Sequence, residues 1–123
     1  MDHKTSNIDL TEIVNSVCFK TGMDKDMATR AELQYRQYLT LRVNYPEMIL
    51  VPPKLADELW HEHILHSEQY VSDCDELFGS YLHHHQGDPE ELLDKGWENT
   101  KNLFLKEFGV NLLATGETAA PCR

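Results

Sequence analysis

The sequence predicts an all-α protein, a single domain built as a bundle of four to five helices. Its 123 residues are the length of one domain. Apolar residues recur three, four and seven positions apart wherever a periodicity is clear, and this spacing is typical of amphipathic helices. Glycine or proline follows most of these stretches, as at the ends of helices. We therefore expect residues 1–123 to form one helical domain, with flexible tails at 1–7 and 114–123.

The first two predicted helices occupy the first third of the chain. The first ends at Gly22, and the second extends over 24–43, before Pro46. Residues 48–51 form a short apolar run in front of two prolines. Because no partner strand is visible, we expect this run to be an extended, packed connector. The apolar positions of the first helix are Leu10, Ile13, Val14, Val17 and Cys18.

The third predicted helix begins near Pro53, since proline suits the first turn of a helix. Asp57 then lies near the positive N-terminal end of that helix, where a carboxylate is favoured. We expect the helix to break near Ser67, because serine is a preferred N-cap residue. The two halves, 54–66 and 67–79, are then separate helices that can fold back on each other.

The last predicted helix begins at Pro89, since Asp88 suits the N-cap and proline suits the first helical position. The preceding half-helix has a C-terminal cap in Gly79. Apolar residues continue at helical spacing as far as Phe108, and Gly109 ends the pattern. The chain contains no internal repeat, so these helices account for the whole predicted domain.

The composition excludes several classes of function. The chain has 11 basic and 21 acidic residues, a net charge of −10, which disfavours nucleic acid as a partner, because phosphate contacts need lysine and arginine. It equally disfavours an anionic membrane surface, and no apolar run approaches the roughly 20 residues of a membrane helix. The polar N-terminus lacks the apolar core of a signal peptide, which predicts a soluble, cytoplasmic protein. Three widely spaced cysteines form neither a disulfide framework nor a CxxC metal motif.

The most informative residues are the histidines. Six of the seven lie in two clusters, at 61–66 and at 83–85. Histidine is a common metal ligand and an acid or base near neutral pH. Both clusters therefore indicate a site that binds a metal or handles protons.

Helical geometry limits which of these side chains can share a site. Each residue advances about 100° around a helix, so Asp57 and His61 lie on one face, whereas His63 lies about 200° from His61 and shares a face with His66. An unbroken helix from His61 to Gly79 would rise about 27 Å, but five further residues span at most about 17–18 Å. The second cluster can therefore reach His61 only if the helix breaks.

The sequence around the first cluster resembles a known family. The motif Pro53-x-x-x-Asp57-x-x-Trp60-His61-x-His63-Ile64-Leu65, with Ser67, Tyr70, Cys74, Phe78, Gly79 and a later histidine, is similar to the glycine-rich domain-containing protein-like family. The similarity covers roughly residues 30–112 and implies no particular reaction. Carried over by position, the residues of interest are Asp57, Trp60, His61, His63, Tyr70, Cys74 and His84.

We interpret the chain as a small histidine-rich protein that binds a transition metal, zinc or iron. The predicted ligands are Asp57, His61, His63 and the distal His84. Two histidines and a carboxylate suit non-haem iron and hydrolytic zinc equally well. The HExxH motif of zinc proteases is absent, and only one ExxH pair is present, whereas di-iron bundles use two. The pattern assigns no reaction, so whether the chain is an enzyme stays open.

Two further readings use the same residues without a metal. In the first, the chain is a protein-interaction module in which the histidines of the WHxH motif are structural and the acidic surface meets a basic partner. In the second, histidine acts as an acid or base, but the only nearby nucleophiles are Ser67 and Cys74, and nothing marks either as activated. Metal bound to untagged protein would separate the first of these readings from the metalloprotein.

Overall fold

Six α-helices make up the computed structural model, which describes residues 3–85 and 87–122. The described part contains no β-strand, only an isolated bridge between Pro53 and Ala119. The prediction of an all-α fold is therefore confirmed. The count exceeds four to five because a short helix forms within the segment 1–7, which was expected to be a tail. The helices are α1 (His3–Asn7), α2 (Thr11–Thr21), α3 (Lys25–Asn44), α4 (Lys54–Leu65), α5 (Ser67–Phe78) and α6 (Glu90–Phe108).

Helix α4 lies at the centre of the bundle, against α2, α3 and α5. Its Leu59 and Trp60 are buried together with Tyr35 and Tyr38 of α3, so the α3–α4 contact forms the middle of the core. Burying each of these large apolar side chains stabilises the fold by roughly 1.5–3 kcal/mol. The helix that carries the first histidine cluster is thus held rigidly. Within the described residues, none of the helices is long and apolar enough to cross a membrane.

The predicted helix break is confirmed at His66. Helix α4 ends at Leu65, α5 begins at Ser67, and His66 between them has φ −84° and ψ 68°, outside the helical region. Because the two helices are separate, α5 turns back against α4. Gly79 then ends α5 with a φ of 71°, a left-handed conformation that glycine adopts without steric cost.

The connector between α3 and α4 packs closely on α6. Leu50 and Val51 are fully buried, and the amide of Val51 donates to the carbonyl of Gly96 at 3.3 Å and to the hydroxyl oxygen of Thr100 at 3.0 Å. A Cβ atom at Gly96 would lie 2.7 Å from Cγ2 of Val51, so only glycine allows this approach. The connector is extended and packed, as the sequence predicts, and it fixes the start of α4.

Both chain ends contribute to the packing, although the sequence predicts flexible tails there. At the N-terminal end, Thr5 of α1 is buried and its hydroxyl lies 2.7 Å from that of Thr40 in α3. At the C-terminal end, Ala120 and Cys122 are buried. The reason is backbone pairing of the C-terminal segment with the end of the connector and the start of α4: the amide of Lys54 donates to the carbonyl of Thr118, and that of Ala120 to the carbonyl of Pro52, both at 2.9 Å.

Candidate metal centre

Side chains from three distant parts of the chain converge beside the N-terminal half of α4. Asp57 and His61 come from one face of α4, His84 from the loop between α5 and α6, and Cys122 from the C-terminal segment. Each offers one atom that could ligate a metal, and these four atoms all lie within 4.8 Å of one another. Among the described residues, this is the group of histidine, cysteine and acidic side chains that could hold an ion.

The nitrogen and oxygen atoms of the group are close together. Nε2 of His84 lies 2.9 Å from Oδ1 of Asp57 and 3.0 Å from Nε2 of His61. Nε2 of His61 lies 3.3 Å from Oδ2 of Asp57. The sulfur of Cys122 is farther away, at 3.5 Å from Nε2 of His84, 3.9 Å from Nε2 of His61 and 3.8 Å from Oδ2 of Asp57.

These separations match the edges of a tetrahedron around a metal ion. Around Zn²⁺, bonds of about 2.0–2.1 Å to nitrogen or oxygen and about 2.3 Å to sulfur place the ligand atoms roughly 3.3 Å apart, or roughly 3.6 Å where one is sulfur. The contacts between nitrogen and oxygen atoms span 2.9–3.3 Å, and those to sulfur span 3.5–3.9 Å. The contacts to sulfur are thus longer than those between nitrogen and oxygen, as in a site with one thiolate, and the contacts to Asp57 are divided between its two carboxylate oxygens.

Hydrogen bonds alone account poorly for this convergence. Nε2 of His84 faces Asp57, His61 and Cys122 at once, yet a ring nitrogen carries at most one proton. If the proton on Nε2 of His84 points to Asp57, His84 cannot also donate a hydrogen bond to Nε2 of His61. A cation at the centre of the group would accept lone pairs from all four atoms.

The group is buried on every side except at His61. The side chains of Asp57 and His84 are each 6% exposed, whereas that of His61 is 46% exposed. Burial and the neighbouring carboxylate of Asp57 raise the pKa of the Cys122 thiol to about 12, so without a cation the sulfur keeps its proton. A metal ion reverses this preference, because a coordinating thiol is deprotonated.

A hydrogen-bonded pair of aromatic residues positions His84. The indole N–H of Trp60 donates to the hydroxyl oxygen of Tyr70 at 2.8 Å, and that hydroxyl donates to the carbonyl of Leu82 at 2.5 Å. The ring of Trp60 also packs against the ring of His84, with 4.3 Å between the centroids. Because Tyr70 belongs to α5, the helix break brings it into place, and the loop is held two residues before His84.

His63, although predicted as a ligand, lies outside this group. Its Nδ1 lies 2.7 Å from the hydroxyl oxygen of Tyr35, and its Nε2 lies 2.8 Å from Oδ2 of Asp73. The side chain is only 2% exposed. Both ring nitrogens therefore have partners, and burial raises the pKa of Tyr35, which keeps its hydroxyl protonated as a donor. The reason is the helical rotation: His63 follows His61 by two residues, so its side chain lies on the opposite face of α4.

The other histidines of the two clusters are also engaged elsewhere or exposed. Nε2 of His66 lies 3.0 Å from Glu62 and 3.4 Å from the hydroxyl of Ser16. His83 and His85, on either side of His84, are exposed. The structure therefore selects the middle residue of the triple histidine.

Neither nucleophile near the first cluster is activated. Cys74 is buried, and burial raises the pKa of its thiol, whereas a nucleophilic cysteine needs a lowered pKa. Ser67 is exposed at the first position of α5, and no hydrogen bond of its side chain to a histidine is found among the described residues. Neither residue therefore offers the activated nucleophile that a covalent mechanism would need.

Cys122 is the member of the group that sequence reasoning missed. It lies 65 residues from Asp57, in a segment whose small residues resemble those of a flexible tail. Neither its spacing nor its neighbours in the sequence connect it to the histidines. Only the pairing of the C-terminal segment with the connector brings it to α4.

Comparison with known proteins corrects the family resemblance drawn from the WHxH motif. The model of the UCP032817-like family matches residues 9–109, a range that includes Asp57, His61 and His84. The resemblance to the glycine-rich domain-containing protein-like family is therefore wrong: the family model that matches is a different one, and the WHxH motif did not distinguish the two. No curated protein and no solved structure matches the chain. The description of the matching family names no activity.

Proposed function

Since the chain belongs to the UCP032817-like family, whose description supplies no reaction, we propose a function from the site itself: the chain binds one transition-metal ion. The proposed ligands are Nε2 of His61 and His84, a carboxylate oxygen of Asp57 and the sulfur of Cys122. The observation that carries the proposal is the convergence of these four atoms, from three distant parts of the chain, within 4.8 Å of one another. His63 is not among the proposed ligands, because both of its ring nitrogens have other partners.

We propose zinc as the preferred ion. The ligand set expected from the sequence, nitrogen and oxygen only, suited zinc and iron equally. A thiolate ligand favours zinc over iron, because Zn²⁺ prefers a tetrahedral set of sulfur, nitrogen and oxygen ligands. The two anionic ligands would neutralise the charge of the divalent ion, which lowers the cost of burying it in this low-dielectric site.

The ion would act as a link between parts of the fold that are far apart in sequence. It would join α4 to the loop before α6 and to the C-terminal segment. The energy of binding a structural metal adds to the stability of the folded state, since the unfolded chain does not offer the assembled site. Four protein ligands suit such a structural role.

The proposed compartment is the cytoplasm. Cys18, Cys74 and Cys122 are all unpaired, and cytoplasmic proteins keep their thiols reduced. A reduced Cys122 is also the form that can ligate zinc. With a net charge of −10, the chain is not expected to bind nucleic acid.

Metal stoichiometry tests the proposal directly. We expect untagged protein to contain about one zinc per chain, and His84→Ala to weaken zinc binding more than about 100-fold, because removing a ligand exceeds the 10–100-fold effect of losing a group that supports one. His85→Ala is the matched control, since it removes the neighbouring exposed histidine and should retain the zinc. Elemental analysis and competition with a chromophoric chelator would measure both. Equally little zinc in the wild type and in His84→Ala would instead favour the metal-free reading.

The pair Trp60 and Tyr70 leads to a second prediction. Tyr70→Phe removes the hydroxyl that holds Leu82, so the loop should present His84 less well and zinc affinity should fall about tenfold. Tyr38→Phe is the matched control, because Tyr38 is equally buried and donates to the carbonyl of Leu50, away from the loop. It should cost stability but leave zinc affinity unchanged. The same affinity loss in both variants would show that the effect comes from general loosening of the fold.

A further inference from the structure

A groove of about 390 Å³ adjoins the candidate metal centre. Two of the proposed ligands, His61 and His84, form part of its wall, and the rest of the lining consists of Ile64, Leu65 and Tyr81 together with the imidazole of His83. Leu65 is 69% exposed and Tyr81 is 44% exposed. Apolar side chains that stay exposed beside a potential metal site are a typical arrangement of a ligand-binding surface.

We infer that the metal centre accepts an external ligand from this groove: an uncharged molecule with an apolar body and one nitrogen donor. The inference rests on the proposed function, since the ligand would bind to the ion. In the exchange, the bond from the metal to Nε2 of His61 breaks and a bond from the metal to the nitrogen of the ligand forms. The ion keeps four ligands, and no electron or proton changes hands.

His61 is the ligand that can exchange, because it combines access with freedom to move. Its side chain is 46% exposed, whereas those of Asp57 and His84 are 6% exposed. The polar contacts of its Nε2 at 3.0 Å to His84 and 3.3 Å to Asp57 are both with members of the site. His84 is in addition packed against Trp60. Rotation of His61 toward solvent would therefore open one coordination position next to the groove.

The charges of the groove and of the proposed metal ligands favour an uncharged external ligand. The groove lining contains no lysine or arginine, and the chain as a whole carries a net charge of −10. Asp57 and the thiolate of Cys122 already balance the charge of a divalent ion, so an anionic ligand would place an unpaired negative charge in a partly buried site, at a cost. A neutral imidazole would replace the imidazole of His61 without changing the charge, and an attached ring would cover Leu65 and Tyr81.

The test uses the full-length, untagged chain loaded with Co²⁺, whose visible spectrum reports its ligands. At pH 8, where imidazoles are neutral, the protein is titrated with 4-phenylimidazole, imidazole and benzoate. We expect 4-phenylimidazole to change the cobalt spectrum at a concentration about tenfold lower than imidazole, because its phenyl ring buries apolar surface in the groove. Benzoate, which carries the same ring on an anionic donor, should have little effect. The cobalt should stay with the protein throughout, as measured after gel filtration.

Two variants locate the binding. Leu65→Ser removes an apolar side chain of the groove and should raise the half-saturating concentration of 4-phenylimidazole about threefold to tenfold, without affecting cobalt binding or the response to imidazole. Leu113→Ser is the matched control, because Leu113 is 65% exposed and lines a different hollow. It should leave every titration unchanged.

The possible failures are distinguishable. A chain that binds no cobalt would remove both this inference and the proposed metal site. A cobalt-loaded chain whose spectrum responds to none of the probes would overturn the inference and leave the metal site intact. Equal responses to imidazole and 4-phenylimidazole would show that the groove does not bind the phenyl ring. A response to benzoate as strong as that to 4-phenylimidazole would show that the site does not select an uncharged ligand. Loss of cobalt from the protein during the titration would also overturn the proposed exchange.

Discussion

Removing zinc is expected to lower the stability of the wild-type chain by about 4 kcal/mol, relative to protein in free zinc at a thousand times the dissociation constant. For a chain of this length, that loss corresponds to a decrease in Tm of roughly 10–20 °C. The reason is linkage: the folded state binds the ion, whereas the unfolded chain lacks the assembled site. Calorimetry of the loaded protein and of protein stripped with a chelator would measure the difference.

Cys122→Ser and His84→Ala provide the controls for this prediction. Both should lose most of the stabilisation by zinc, since each removes a proposed ligand from a different part of the chain. His85→Ala should respond to zinc as the wild type does. An equal response to zinc in all four proteins would show that the ion binds elsewhere, for instance at the exposed histidines.

The same prediction has a local signature at the C-terminal segment. The amides of Lys54 and Ala120 pair this segment with the connector, and Cys122 would join it to the ion. Zinc should therefore slow hydrogen exchange at these two amides in the wild type and not in Cys122→Ser. Unchanged exchange in the wild type would contradict the proposed link, even if zinc binds.

The second large effect is expected at His63 and does not depend on metal. His63→Ala should destabilise the fold by about 3–5 kcal/mol, because it leaves a cavity and removes the partner of Tyr35 and Asp73. The loss should be the same in zinc and in chelator, as measured by urea unfolding. His61→Ala provides the contrast, because the side chain of His61 is half exposed. In chelator, this variant should lose less than about 1 kcal/mol of stability. In zinc, it should lose most of the stabilisation that the ion gives the wild type.

These two histidines separate the structural from the metal-binding interpretation within one motif. If His63→Ala cost stability only in the presence of zinc, His63 would act on the ion and its pairing with Tyr35 and Asp73 would be incidental. If His61→Ala cost as much in chelator as in zinc, His61 would be a structural residue. The interpretation of the chain as a metal-free interaction module would then be favoured.

Local features of the fold could be predicted from the sequence because they depend on neighbouring residues. The end of α5 at Gly79 follows from the conformational freedom of glycine. The break was expected near Ser67 as an N-cap, and it lies there, although His66 occupies the N-cap and Ser67 is the first helical residue. The shared face of Asp57 and His61 follows from their spacing of four. The same geometry placed His63 on another face, and its inclusion among the ligands depended on the crowding of the motif and on a family resemblance that proved wrong.

The sequence by itself thus determined the helical class, the helix ends and the pairing of Asp57 with His61, since each of these is fixed within one or two turns of chain. Only the tertiary structure decided that His84, and neither of its neighbours, meets His61, because a hydroxyl on another helix holds the loop at Leu82. Only the tertiary structure also decided that Cys122 joins the group. Its position depends on backbone pairing between segments more than sixty residues apart, and the side chains of those segments carry no signal of the pairing.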